Sequence, residues 1–346
     1  MKRFKRHRDY GFFDQDIRLS KLSELGDPLE RLEKGVDFEI FRPILTQGLH
    51  VEPKGVGGRP PFDYVLMFKV LILQRYYNLS DDQTEFQIND RMSFMRFLNL
   101  TIADDVPDSR TVWHFRERLG NLGLIDKLFD RFLLELHTLG LIVNQGRIID
   151  ASFIEVPKQR NSREDNKTIK EGGIPENISQ NPNRKAQKDT DARWTTKSNI
   201  HYFGYKNNIK GDTGSKIILK YITTDASVHD SQVLEDLLDK HTDAGQELHG
   251  DSAYTGAPMQ AIITKSGMTG QICEKGYSGH PLTQEQKASN KEKSRKRARV
   301  EHIFGFMEMS MNSMYAHVIG KSRIHAFNGL LNLTYNMFRS IQLQTT

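Results

Sequence analysis

Cysteine is almost absent from this chain of 346 residues, which contains only Cys273. A single cysteine excludes an intrachain disulfide framework and any zinc site built from several cysteines. It also suits a reducing compartment. A metal site in this protein would therefore need oxygen ligands.

Long apolar runs are also missing. The longest candidate, at residues 64–73, is interrupted by Lys69 and is shorter than the roughly 18 residues that a membrane span needs. The basic N-terminus, residues 1–8, is followed by mixed polar sequence without the apolar segment of a secretory signal. The sequence therefore predicts a cytosolic protein with no membrane partner.

Positive charge is modest in total but unevenly placed. The net charge is +5, yet residues 2–8 carry five Lys/Arg and no acid, and residues 287–299 carry seven Lys/Arg against one Glu. Residues 160–197 add nine Lys/Arg to six Asp/Glu. Basic clusters are often only solvated faces, but three in one chain favour a polyanionic partner such as nucleic acid.

The first part of the chain is predicted to be helical. Residues 1–56 form a basic and helical arm that ends in a Gly/Pro string, and residues 57–142 form a helical domain. Ser80 and Gln83 have the spacing of a capping box. The third helix of this domain carries Arg110, His114 and Arg118 and could read a DNA groove as a helix-turn-helix does. A purely structural packing domain is the alternative.

The pattern changes at Gly146 to short β-branched runs, which indicate strands. Three strands are followed by alternating helices and strands, so residues 143–318 predict a mixed α/β sheet flanked by helices. The polar, Asn/Lys/Glu-rich residues 158–196 are expected to form a flexible basic insertion. The last segment, residues 319–346, predicts a helix that packs on the sheet domain.

Three acids are placed where they could act together. Asp150 lies in an otherwise apolar strand, Asp251 follows the end of another strand, and Glu301 borders the apolar stripe of a helix. Clustered carboxylates repel one another unless a cation neutralises them, and Mg²⁺ fits such ligands together with a substrate phosphate. Taken singly, each acid has an ordinary alternative, such as a surface ion pair between Glu301 and Arg297.

Three sequence blocks carry a family resemblance. Ile148-Ile-Asp-Ala-Ser, Leu248-His-Gly-Asp-Ser-Ala-Tyr-Thr-Gly and Arg297-Ala-Arg-Val-Glu-His-Ile-Phe-Gly closely resemble, in order, the catalytic blocks of bacterial DDE transposases of the insertion-sequence-five group. That group belongs to a broader insertion-sequence-four-like superfamily. Gly57-Gly-Arg-Pro-Pro and Tyr76-Tyr-Asn-Leu-Ser resemble its N-terminal helical domain, so the resemblance spans about residues 45–340.

The resemblance implies an RNase H-like catalytic fold in which Asp150, Asp251 and Glu301 are the catalytic and metal-binding residues. It implies two Mg²⁺ ions, with Mn²⁺ as a substitute, that serve DNA strand cleavage and transfer of a 3′-hydroxyl end. The partners are the terminal inverted repeats of the element and a target duplex, held by a homodimer or a higher assembly. Side chains near these blocks are expected to contact DNA, namely Arg297, Arg299, Lys293, Lys296, Trp194 and Lys197.

One departure from the family pattern concerns the signature around the catalytic Glu. Arg297 and Glu301 are present, but Ser294 and Glu308 stand where Tyr and Lys would fall. The sequence therefore predicts a transposase and leaves two alternatives. One is a non-catalytic DNA-binding regulator, and the other is a metal-dependent nuclease that cuts DNA without joining it.

Overall fold

The computed structural model describes residues 11–50, 60–277 and 279–345. The basic stretch at residues 2–8 and most of the Gly/Pro boundary at residues 55–61 lie outside these ranges. The described N-terminal part is helical, as the sequence predicts. Its helices are α1 (Asp14–Glu24), α2 (Pro28–Gly35), α3 (Arg42–Leu49), α4 (Tyr64–Tyr76), α5 (Asp81–Asp90), α6 (Met92–Phe97), α7 (Ser109–Asn121) and α8 (Leu124–Thr138).

Side-chain caps explain where these helices begin. Ser80 and Gln83 form the predicted capping box, because the Gln83 amide N–H donates to Ser80 Oγ at 3.2 Å and the Ser80 amide N–H donates to Gln83 Oε1 at 3.0 Å. Asp108 accepts a hydrogen bond from the Thr111 amide at 2.7 Å and so starts α7. Helix α4 is buried on nearly every side and forms the centre of the helical part.

Six strands form one mixed sheet. They are β1 (Arg147–Glu155), β2 (Arg193–Lys197), β3 (Ile200–Asp212), β4 (Ile218–Asp225), β5 (Glu247–Gly250) and β6 (Thr269–Ile272). Strand β3 pairs antiparallel with β1 on one edge and with β4 on the other. Strand β5 pairs parallel with β1, and β6 pairs parallel with β5. Three antiparallel strands followed by two parallel ones give the RNase H-like sheet that the resemblance implies.

The segment between β1 and β3 differs from the sequence-based expectation of a flexible insertion. It contains three short helices, α9 (Arg163–Lys170), α10 (Glu176–Ser179) and α11 (Pro182–Gln187), and then the additional strand β2. Polar residues start two of these helices, since Ser162 and Asn181 accept hydrogen bonds from the Asp165 and Arg184 amides. Strand β2 pairs with the first five residues of β3, at the same edge that β4 uses further along.

Helices cover both faces of the sheet. The remaining helices are α12 (Leu234–Leu237), α13 (Lys240–Asp243), α14 (Ala257–Lys265), α15 (Gln284–Arg297), α16 (Arg299–Met309) and α17 (Lys321–Gln344). Ile148 and Ile149 point to opposite faces, so Ile148 joins the large core that includes α16, whereas Ile149 joins a smaller core around Leu248 and Tyr254. The sequence predicts one long helix through residue 301, but a turn at Ala298 separates α15 from α16.

The C-terminal helix α17 links the two halves of the molecule. Its asparagines, spaced four residues apart, hydrogen-bond the sheet: Asn332 exchanges two bonds with Asn207 of β3, and Asn336 accepts from the Ile218 amide of β4. Arg323 near its start pairs with Glu117 of α7 at 2.8 Å. Helix α17 therefore contacts the N-terminal helices as well as the sheet. No described helix is both long and apolar enough to span a membrane.

Candidate active site

The register of two parallel strands brings Asp150 and Asp251 together. Strand β1 pairs with β5 so that Arg147 lies beside Leu248 and Ile148 beside His249. Continuing this register places Asp150 beside Asp251, which directly follows β5. Asp251 Oδ1 accepts a hydrogen bond from the Ala253 amide at 2.8 Å and thereby caps the 3₁₀ turn Ser252–Tyr254. Both aspartates thus lie near the carboxyl end of β5, where ligands bind in α/β sheets.

Asp150 lies in an environment that disfavours its charge. Its side chain is 17% exposed, and its Oδ1 accepts one hydrogen bond from the Ala151 amide at 2.8 Å. Burial raises its pKa to about 6; the charge of Asp251 also raises this pKa, while the Ala151 N–H and the charges of Arg297 and Lys197 lower it. The residue therefore carries a negative charge that its surroundings only partly compensate.

Glu301 joins this pair through an arginine. Arg297 Nη1 lies 3.5 Å from Asp150 Oδ2, and Arg297 Nη2 lies 3.3 Å from Glu301 Oε1. The Glu301 side chain is 64% exposed, at the edge of the buried stripe of α16. The ion pair between Glu301 and Arg297 that the sequence suggested as an alternative is thus present, but the same guanidinium also contacts Asp150. Arg297 therefore links two of the three acids, and the third, Asp251, lies beside Asp150.

The donor set suits a hard divalent cation, because Asp150, Asp251 and Glu301 offer only carboxylate oxygens. The uncompensated charge of Asp150 is the kind that a bound cation would neutralise. Among the residues that the structure describes, however, no three His, Cys, Asp or Glu side chains are already grouped closely enough to hold a metal ion. Arg297 now lies between two of the candidate ligands, so closure around a metal requires this side chain to move.

Three of the basic residues that the sequence assigns to DNA lie around the site but have partners within the chain. Lys296 pairs with Glu247 at 2.7 Å, and Lys293 donates to the Ile272 carbonyl at 3.1 Å. Arg299 donates to the Thr213 carbonyl at 2.6 Å, so its guanidinium ties α16 to the loop after β3. Lys296 is about half exposed and stays accessible to a polyanion.

Two further candidates, Lys197 and Trp194, lie on β2. Lys197 acts on the pKa of Asp150, and its Nζ lies 5.7 Å from the centre of the Phe153 ring. Trp194 is 51% exposed and packs one side of its ring against Phe203. Trp194 therefore has one packed face, which suits a hydrophobic anchor, and one exposed face, which suits stacking on a base.

The helical part presents its candidates on one surface. Arg110, His114 and Arg118 follow one another at intervals of four residues along α7, and all three are exposed. Arg118 donates to the Leu49 carbonyl at 3.0 Å, which fixes its position on this surface. Their neighbour Arg116 differs, because it is bound to Asp81 and Gln74 inside the fold.

The sequence did not reveal a buried ion network on β1. Arg147 contacts Asp243 at 2.8 Å and Asp212 at 3.2 Å, and Lys210 pairs with the other oxygen of Asp243. This network joins β1 and β3 to the end of α13 just before β5, and so it fixes the register that brings Asp150 beside Asp251. A basic residue at the start of an apolar strand is the only local signal, since the partners of Arg147 are 65 and 96 positions away.

Comparisons with known proteins found two family models and one similar solved structure. The family model "Transposase domain (DUF772)" matches residues 17–118. A chain from the cryo-EM structure of the piggyBac transposase synaptic complex with hairpin DNA is similar over 93% of this chain and 76% of its own, at 12% identity and a TM-score of 0.46. The family model "Transposase DDE domain" matches residues 143–337, more than half of the protein. The chain therefore belongs to the DDE transposase family.

Proposed function

We propose that this chain recognises the terminal inverted repeats of an insertion sequence, cuts the DNA there and joins the released 3′-hydroxyl to target DNA. The observation that carries the proposal is the placement of Asp150 beside Asp251, with Glu301 reached through Arg297. A carboxylate with a raised pKa, as Asp150 has, beside a second acid at a strand end is typical of catalytic sites. The insertion-sequence-five grouping, the inverted-repeat substrate and the homodimer or higher assembly remain predictions.

Asp150, Asp251 and Glu301 are the residues that would hold two Mg²⁺ ions, or Mn²⁺ in their place. When bound, such ions activate an attacking oxygen and stabilise the leaving oxygen of an in-line displacement. Arg297, released from Asp150 and Glu301, is close enough to contact a non-bridging phosphate oxygen. Lys197, whose charge acts on Asp150, and Lys296, which precedes Arg297 in the chain, would hold the DNA backbone.

Both reaction steps balance without a covalent protein intermediate. In cleavage, a water oxygen forms a bond to phosphorus, the bond to the 3′-oxygen breaks, and this oxygen takes up a proton. In joining, the new 3′-hydroxyl oxygen gives up its proton and forms a bond to a target phosphorus, the bond from this phosphorus to the 3′-oxygen of the target strand breaks, and that oxygen takes up a proton. No serine or tyrosine nucleophile is needed, which suits the complete burial of Tyr254.

The test uses the full chain, a labelled element end and a target duplex, with and without Mg²⁺. We expect Asp150→Asn, Asp251→Asn and Glu301→Gln each to abolish cutting and joining while end binding persists. Asp236→Asn, which changes an exposed acid on α12 in the same way, serves as the control and should retain both reactions.

Each other result selects a different function. A variant of the three that retains full cleavage would overturn the assignment of these residues. Metal-independent binding with no cleavage by the wild type would favour the regulator, and cleavage without joined product would favour the nuclease.

A further inference from the structure

Within the part of the chain that the structure describes, a buried arginine of α4 forms no ion pair with a carboxylate. Arg75 is 7% exposed, and its guanidinium carbon lies 3.8 Å from the centre of the Phe327 ring on α17. Within the described ranges, its Nη1 has no hydrogen-bond partner. A buried and unpaired charged group is costly, so such a residue calls for a physical explanation.

Arg75 lines a cavity where the helical part meets α17. The cavity has a volume of ≈ 80 Å³, and its lining includes Arg116 of α7, Arg323 of α17, His317 of the loop between α16 and α17, and one acid, Asp81 of α5. This volume is several times the roughly 10–15 Å³ that one water requires on this measure. Four basic side chains from four separate parts of the chain thus converge on one space.

The charges around this cavity do not balance. Arg116 pairs with Asp81 at 2.9 Å, and Arg323 pairs with Glu117 at 2.8 Å. These two pairs leave the positive charge of Arg75 unmatched. Burial is the main cause that lowers the pKa of Arg75 to about 9; the charge of Arg116 also lowers this pKa, and the charge of Asp81 raises it. Because this pKa still lies above 7, the guanidinium is charged at neutral pH. Burial and Arg75 also lower the pKa of His317, which favours a neutral ring that can still donate one N–H.

We propose that this cavity is a phosphate-binding site, separate from the Asp150 site, in which Arg75 supplies the missing ion pair. The planar guanidinium offers two parallel N–H donors that match phosphate oxygens, and Arg323 and His317 line the same cavity and add further donors. The phosphate has two possible sources, a backbone phosphate of bound DNA and a free phosphate. The DNA source rests on the proposed function, whereas the free source does not.

The first experiment measures thermal stability of the full chain during titration with inorganic phosphate at constant ionic strength. We expect a saturable rise in the midpoint for the wild type that is lost in Arg75→Gln. Arg131→Gln is the matched control, because it removes the same charge from a half-exposed arginine of α8 that already pairs with Glu135, and it should respond as the wild type does.

The second experiment measures how the affinity for duplex DNA depends on salt. If the phosphate belongs to the DNA backbone, the negative slope of log K for DNA binding against log[salt] should become shallower by about 0.9 in Arg75→Gln. The slope should stay unchanged in Arg131→Gln. A phosphate response with an unchanged slope identifies a free phosphate as the ligand. The proposal is wrong if Arg75→Gln matches the wild type in both experiments. It is also wrong if the wild type shows no saturable phosphate response and the salt slopes of the wild type and Arg75→Gln agree.

A second variant covers the case in which Arg75→Gln does not fold. Arg323 is partly exposed, and Arg323→Gln removes a cavity donor while leaving Glu117 unpaired beside the site. We expect it to weaken phosphate binding about tenfold, and unchanged binding would overturn the proposal. The phosphate titration involves no strand cleavage, so its failure is distinguishable from failure of the proposed catalytic function.

Discussion

Two clusters of charge lie only three residues apart on β1, and they are built in opposite ways. Around Arg147, two cations and two acids are buried together, with side chains no more than 3% exposed. Around Asp150, the guanidinium of Arg297 pairs with two acids, Asp150 and Glu301, while Asp251 adds a third negative charge and Glu301 is open to solvent. The first cluster is balanced within the chain, and the second carries surplus negative charge.

The pKa values follow this difference. Burial alone would raise the pKa of Asp243, but hydrogen bonds from Lys210 and Arg147 outweigh it and hold this pKa below its ordinary value. For Asp150 burial prevails, and the pKa rises. A carboxylate whose charge is neutralised by cations of the protein stabilises the fold. A carboxylate whose charge is compensated only in part is suited to bind a cation from solution. This contrast distinguishes an ion network that holds the fold from an acidic site that performs chemistry.

Breaking the balanced cluster should have the largest effect on stability. Arg147→Met leaves Asp212 and part of Asp243 buried without their partner, and we expect the free energy of unfolding to fall by about 3–5 kcal/mol. Urea denaturation measures this change. Arg131→Met, which removes a half-exposed arginine, should cost less than about 1 kcal/mol. Equal effects of the two changes would mean that the buried network does not hold β1 in place.

The matching change in the unbalanced cluster should act in the opposite direction. Asp150→Asn removes a buried charge that its surroundings disfavour, so in metal-free buffer at pH 7 we expect equal or higher stability, by up to about 3 kcal/mol. The same denaturation experiment measures it. A loss of stability comparable to that of Arg147→Met would show that the charge of Asp150 is satisfied within the fold, contrary to the comparison.

Lowering the pH should remove the contribution of Asp243 in the balanced cluster to the free energy of unfolding. Because the pKa of Asp243 in the folded chain lies below the ordinary 3.8, its ionised form contributes stability that is present above this value and is lost as the pH falls through the lowered pKa. The gap in unfolding free energy between wild type and Asp243→Asn should therefore be about 1–3 kcal/mol at pH 7 and shrink below pH 3.8. A gap that is constant from pH 7 to pH 2.5 would contradict this assignment.

Local signals in the sequence predicted much of this arrangement. The capping box at Ser80 and the β-branched run around Asp150 depend on neighbours within a few residues. The expected convergence of Asp150 and Asp251 followed from strand order, because adjacent parallel strands end at the same edge of a sheet. These features need no knowledge of distant contacts.

The remaining features depend on contacts between distant parts of the chain. Strand β2 is short and polar, and it exists because the start of β3 offers an open edge. The ion pair between Arg147 and Asp243 joins residues far apart in the chain, and it depends on the pairing of β5 with β1. Spacing identified Arg297 as a neighbour of Glu301, but its contact with Asp150, 147 positions away, could not be predicted from the sequence.

The smallest effect on stability is expected at Lys296, which precedes Arg297 in the chain. Lys296 and Glu247 form an ion pair in which both side chains are about half exposed, so Lys296→Gln should change the free energy of unfolding by less than about 0.5 kcal/mol. If Lys296 also contacts a DNA phosphate, the same change should lower the salt slope of DNA binding by about 1. Lys265→Gln, at the end of α14, breaks a similar exposed pair with Glu235 of α12 and should leave the slope unchanged. Equal slopes for the two variants would mean that Lys296 does not contact the DNA. The acidic cluster would then have no basic DNA-binding residue at this position.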